Sequence, residues 1–156
     1  MYFLANKKIL MRVIGFLLII AGIVVFAFNF KNLGVIAAGS EITKKQELAI
    51  FIAQNKLTNH GYTADPNYYE VKNIVVPNDF DIILDGYNDM IKQNGYDLNE
   101  QKGREAVKVV LKLTDYPNSS GDVFSSFLIV DNIVVAADLY SGGEDGFLIN
   151  LTPKMQ

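Results

Sequence analysis

Residues 123–140 read Val123-Phe124-Ser125-Ser126-Phe127-Leu128-Ile129-Val130, then Asp131-Asn132, then Ile133-Val134-Val135-Ala136-Ala137-Asp138-Leu139-Tyr140. Two β-prone runs flank a dipeptide whose residues tolerate the positive φ of a two-residue hairpin turn. The stretch therefore predicts an antiparallel hairpin. On its N-terminal side, Val107, Val109, Leu111 and Leu113 alternate with Lys108, Val110, Lys112 and Thr114, the period of a half-buried strand. Pro117 to Asp122 reads as the loop between them, and the glycine-rich Ser141 to Gly146 leads into a last short strand, Phe147 to Leu151.

Two helices are expected before most of this sheet. Thr43-Lys44-Lys45-Gln46 has the form of a capping box, with Leu48, Phe51 and Ile52 on one helical face and Asn59-His60-Gly61 as the stop. Asp65-Pro66-Asn67 reads as a turn, and Val71 to Val76 as a short strand closed by Pro77. Asn78 is placed to cap a second helix, on which Phe80, Ile83, Leu84, Tyr87, Met90 and Ile91 gather on one side and Asp81, Asp85 and Asp89 on the other. Gly95 ends it. The expected fold is α+β, an antiparallel sheet of four to five strands with two helices packed on one face.

Residues 13–30 carry no charge and follow Lys7, Lys8 and Arg12. As a helix they would span roughly 27 Å, close to the ~30 Å hydrocarbon core of a bilayer. The expected organisation is a cytoplasmic segment over 1–12, a transmembrane anchor over 13–30, a linker over 31–42, an extracytoplasmic domain over 43–151 and a tail over 152–156. The flanking charges keep the N-terminus inside, which makes the lipid bilayer a partner through residues 13–30. A signal peptide cleaved near Ala37-Ala38-Gly39, giving a secreted domain, is the alternative. With no cysteine in the chain, disulfides and thiol chemistry are excluded. From residue 40 onward ten basic residues face seventeen acidic ones, a net charge of −7 that disfavours nucleic acid as a partner.

Val76-Pro77-Asn78-Asp79-Phe80-Asp81 with Tyr87-Asn88, the turn Gln93-Asn94-Gly95-Tyr96-Asp97-Leu98, Tyr116-Pro117, and Asp145-Gly146-Phe147 with Leu151 together carry a resemblance. Over roughly residues 43–151 the chain resembles the bacterial family known as domain of unknown function 4830, small domains often found behind one membrane segment. It departs from the family at Gln101-Lys102-Gly103-Arg104 and at Ala136-Ala137-Asp138. The resemblance implies an architecture and a compartment, and no activity.

Chemistry-bearing residues are sparse. His60, the one histidine, stands at an expected helix end, where an imidazolium favours the last carbonyls. The stripe Asp81, Asp85, Asp89 reads as a solvated face. Asp138 lies in an apolar strand, and with Glu144 and Asp145 it offers hard oxygens to a cation such as calcium, although the pattern is not an EF-hand. Tyr62, Tyr68 and Tyr69 flank a loop and, with Asp138 and Tyr140, are the candidate contacts for a ligand or another envelope protein. No Gly-x-Ser-x-Gly or Ser-x-x-Lys spacing supports a nucleophile, and no cofactor is implied. The expected function is a membrane-anchored, non-enzymatic binding module of the cell envelope. The alternatives are an envelope hydrolase using carboxylates, with Asp138 paired to Glu144 or Asp145, and a cation-stabilised structural domain.

Overall fold

The structure is a computed structural model that describes residues 42–117, 121–142 and 146–154. Its elements are α1 (Lys44–Asn59), β1 (Ala64–Val75), α2 (Ile82–Lys92), a 3-10 turn (Leu98–Gln101), β2 (Glu105–Leu113), β3 (Val123–Val130), β4 (Ile133–Ser141) and β5 (Phe147–Asn150). All five strands form one antiparallel sheet in the order of the chain, β1-β2-β3-β4-β5. The α+β reading and the antiparallel sheet hold.

Local signals set several of these elements. Thr43 caps α1 with a complete capping box, its side chain accepting from the Gln46 backbone while Gln46 reaches back to Thr43. Asp131 and Asn132 both take positive φ, 49° and 65°, so β3 and β4 are joined by the tight turn expected of them. At α2 the cap is Asp81 rather than Asn78: its carboxylate accepts from the backbone of Ile83 and Leu84, and the helix starts at Ile82.

Alternation within β2 divides the sheet into two faces. On the first, Val107, Val109, Leu111 and Leu113 join Val71, Phe127, Leu139 and Leu151 in a core covered by α1 through Ala49, Ala53 and Leu57. On the second, Ala106, Leu128, Val130 and Ala136 are buried at one end of the sheet, and α2 packs over β4 and β5. Tyr87 and Met90 of α2 hydrogen-bond to Asp138 and Asn150, cross-strand partners whose side chains lie on this second face.

Three expectations about packing and strand placement are thereby corrected. The helices cover opposite faces instead of sharing one, because β2 and β3 are apolar on both sides over half their length and need cover twice. On α1 the small Ala49 and Ala53 face the sheet, while Leu48 and Phe51 are exposed. Alanines let the helix backbone approach the strands, and that closeness outweighs the burial of two larger side chains elsewhere. Asp65-Pro66-Asn67 does not precede the strand but lies within β1, where the register with β2 slips between Ala64 and Tyr69. An edge strand tolerates proline and an irregularity of this kind.

A further correction concerns the membrane. Among the described residues no helix is long and apolar enough to cross a bilayer. The anchor expected over 13–30 lies outside the described residues. The transmembrane helix, the bilayer as partner, the single-pass placement and the envelope-module function built on them are withdrawn. Function is read from the folded domain.

Candidate functional site

Chemistry in this domain gathers on the second face of the sheet, toward the end that α2 leaves open. Three cross-strand rows define it. Lys72, Lys108, Leu128 and Ala136 form one; Glu70, Val110, Ser126, Asp138 and Asn150 the next; Lys112, Phe124, Tyr140 and Leu148 the third. Val110 and Asp138 are buried, whereas Lys108, Lys112, Phe124, Ser126, Tyr140 and Leu148 are half-buried. Phe124 and Tyr140 stack as a cross-strand pair with centroids 5.4 Å apart. Lys112 pairs with Asp122 at 2.9 Å at the rim.

Asp138 is the centre of this face. Its carboxylate accepts from the Tyr87 hydroxyl at 2.7 Å, and the Ser126 backbone donates to it as well. Burial nevertheless dominates and pushes its carboxyl up to about 6, with the Tyr87 bond, the Lys108 charge and the Ser126 bond pulling the other way. Lys108 is pushed down to about 8, first by burial and further by Lys72, against the attraction of Asp138 and Glu70. Burial, then the neighbouring Asp138, hold the Tyr87 phenol well above its usual range. A carboxyl and an ammonium thus titrate closer to neutrality than either does in water.

Asn150 stands opposite Asp138 on β5. Its side-chain nitrogen donates to Met90 O at 2.8 Å, and its side-chain oxygen is buried with no hydrogen-bond partner among the described residues. An unsatisfied buried acceptor is unusual. Here it neighbours a carboxyl that keeps its proton to about pH 6, and a proton is what an acceptor lacks. On the α2 side, Asn88 is a second buried polar group, fully used: it accepts from the Leu98 backbone at 2.7 Å and donates to Asp97 at 2.9 Å. That bond, followed by the Asn99 backbone bond, lowers the Asp97 carboxyl.

The residues singled out from sequence scatter. Asp138 and Tyr140 belong to this face. Tyr62 lies in the core beneath α1, stacked on Tyr116 at 6.0 Å, and Tyr69 is exposed on β1. The side chain of Tyr68 and all of Glu144 and Asp145 lie outside the described residues. His60 ends α1, its Nδ1 2.8 Å from Lys56 O. Asp81 and Asp89 are spoken for by the α2 cap and by Lys92. Among the described residues no group of acids and histidine is arranged to hold a metal. The sequence pattern places Lys108 on the solvent side of a strand and Tyr87 in a helix core, and marks neither as part of this face. A lysine set between Val107 and the run Val109-Val110-Leu111 is the available signal.

Together the fold and this face define an α+β domain with a five-stranded meander clasped by a helix on each side and a polar patch beside the outer one. Comparison with protein-family profiles, with curated proteins and with solved structures found no match.

Proposed function

We propose that the domain binds a small polar ligand on the open half of its second sheet face, with Lys108 meeting an acidic group of the ligand and Ser126 and Tyr140 supplying hydrogen bonds. The observation that carries this reading is the pairing of a half-buried lysine and a buried carboxyl, both displaced toward neutrality, beside a surface left uncovered by α2. Burial of ionisable groups costs free energy, and ligand sites are where that cost is offset by function. The stacked Phe124 and Tyr140 supply an apolar wall for the rest of the ligand. Thermal unfolding of the full chain against a panel of small carboxylic, amino and phosphorylated acids tests it. A compound that raises the midpoint of the native protein and leaves Lys108→Met unmoved supports the site. A panel that moves nothing, or moves both proteins equally, removes it.

A hydrolase that uses carboxylates as acid and base is the second reading, favoured by the proton that Asp138 retains to about pH 6. Hydrolysis of chromogenic glycosides or esters that disappears in Asp138→Asn supports it. No turnover across such a panel excludes it.

A further inference from the structure

Lys72 and Lys108 stand directly opposite each other across β1 and β2, on the second face of the sheet. Opposite residues of an antiparallel pair hold their Cβ atoms about 5 Å apart, and like charges there destabilise the pair. Across the next strand boundary Lys108 faces the buried Leu128 of β3, and the Asp138 carboxyl lies one row further along the sheet on β4. A half-buried amine is thus set between a second amine and an apolar neighbour. Loss of its proton relieves both the burial of a charge and the repulsion from Lys72. Burial, chiefly, and Lys72 push the Lys108 ammonium down to about 8, against the attraction of Asp138 and Glu70. A lysine desolvated beside another cation is the arrangement that makes an amine nucleophilic near neutral pH. Both lysines interact with other groups of the domain, and a neutral amine that donates a hydrogen bond still keeps its lone pair.

We propose that Lys108 forms a reversible imine with a 2-oxo acid bound on this face. The site is the one assigned above to a small acidic ligand, on which this chemistry rests. The carboxylate of the oxo acid is the acidic group that Lys108 meets, and its carbonyl carbon lies one bond away. The Lys108 Nζ lone pair attacks that carbon, and the carbonyl π pair moves to the oxygen. The two protons of the amine then leave with that oxygen as water, so that a C=N bond replaces the C=O bond with no change of oxidation state. Once protonated, the imine nitrogen carries a positive charge, offset by the ligand's own carboxylate and by the acids that attract the Lys108 ammonium, Asp138 and Glu70.

Reductive trapping of the full chain tests this. Cyanoborohydride with pyruvate converts an imine into a stable secondary amine, and peptide mass mapping at pH 7 reads the adduct at each lysine. Lys108 is expected to react about tenfold faster than the exposed Lys44 and Lys102, and to lose that lead in urea. Lys72→Met is expected to slow Lys108 about threefold, whereas Lys72→Arg, which keeps the charge, leaves it unchanged. A Lys108 that reacts no faster than Lys44, keeps its lead in urea or is indifferent to Lys72→Met overturns the proposal. A rise in the unfolding midpoint with pyruvate but no adduct at Lys108 overturns the imine and leaves the ligand site standing. Neither an adduct nor a shift from any acid of the panel removes both.

Discussion

The two faces of the sheet are built on different principles. Beneath α1 the surface is mostly apolar, with Val107, Val109, Leu111, Phe127 and Leu139 essentially free of solvent, and packing is the main hold on the helix, joined by an exposed ion pair from Lys45 to Glu105. Beneath α2 the apolar part ends halfway, and the helix is fastened by polar pegs: Tyr87 to Asp138, Met90 to Asn150, and Asn88 to the segment at Leu98. Packing is non-directional and tolerant, whereas a buried hydrogen bond fixes a position and is costly when half-made. The first face supplies stability; the second trades some of it for a defined arrangement of ionisable groups.

Truncation breaks the comparison most sharply. Phe127→Ala, on the closed face, removes the largest of the fully buried side chains and is expected to cost about 3–5 kcal/mol in chemical denaturation. A loss under ~1 kcal/mol would mean that the α1 face is not the main core. Asn88→Ala, on the other side, removes far less apolar area yet strands the Leu98 amide and weakens the hold on Asp97. It is expected to cost about 1–3 kcal/mol, the penalty of a buried donor left unpaired. Amide exchange should rise first at Leu98 and through α2. Exchange that rises equally under α1 would deny that the two faces are fastened separately.

How much of this was legible follows the range of each interaction. The Thr43 capping box, the Asp131-Asn132 turn and the strand from Val123 to Val130 depend on residues within a few positions of one another, and they stand as read. The burial of Ala49 and Ala53 in place of Leu48 and Phe51 depends on how closely α1 approaches a sheet formed much later in the chain. Helical periodicity ranks side chains by size and has no knowledge of that distance. The alternation of Val107 to Leu113 suggested one buried face; Ala106 and Val110, on the other, held the clue that a second layer was needed. Asp138 stood out as an acid in an apolar strand, but its partner Tyr87 lies 51 positions away, joined by a hydrogen bond that no local pattern encodes.

The finest test uses pH on the second face alone. Burial raises the Asp138 carboxyl to about 6 from an ordinary 3.8, so the folded state favours the protonated form. Between those values the native protein holds a proton that the unfolded chain has released. Its contribution is complete below about pH 4 and is lost as pH rises through 6. Asp138→Asn keeps an oxygen to accept from Tyr87, cannot ionise, and brings an amide donor to the side of the strand where the Asn150 oxygen lacks one. The variant is expected to match the native protein near pH 4 and to exceed it by about 2–3 kcal/mol at pH 7, with the difference opening between. Lys108 gives an independent readout. Asp138 is one of the charges that hold the lysine up against burial, so the substitution is expected to move its titration below about 8, observable by NMR of the side chain. Denaturation curves for the two proteins that run parallel from pH 4 to 7, with Lys108 unmoved, would show that Asp138 is solvated rather than the buried centre of the second face.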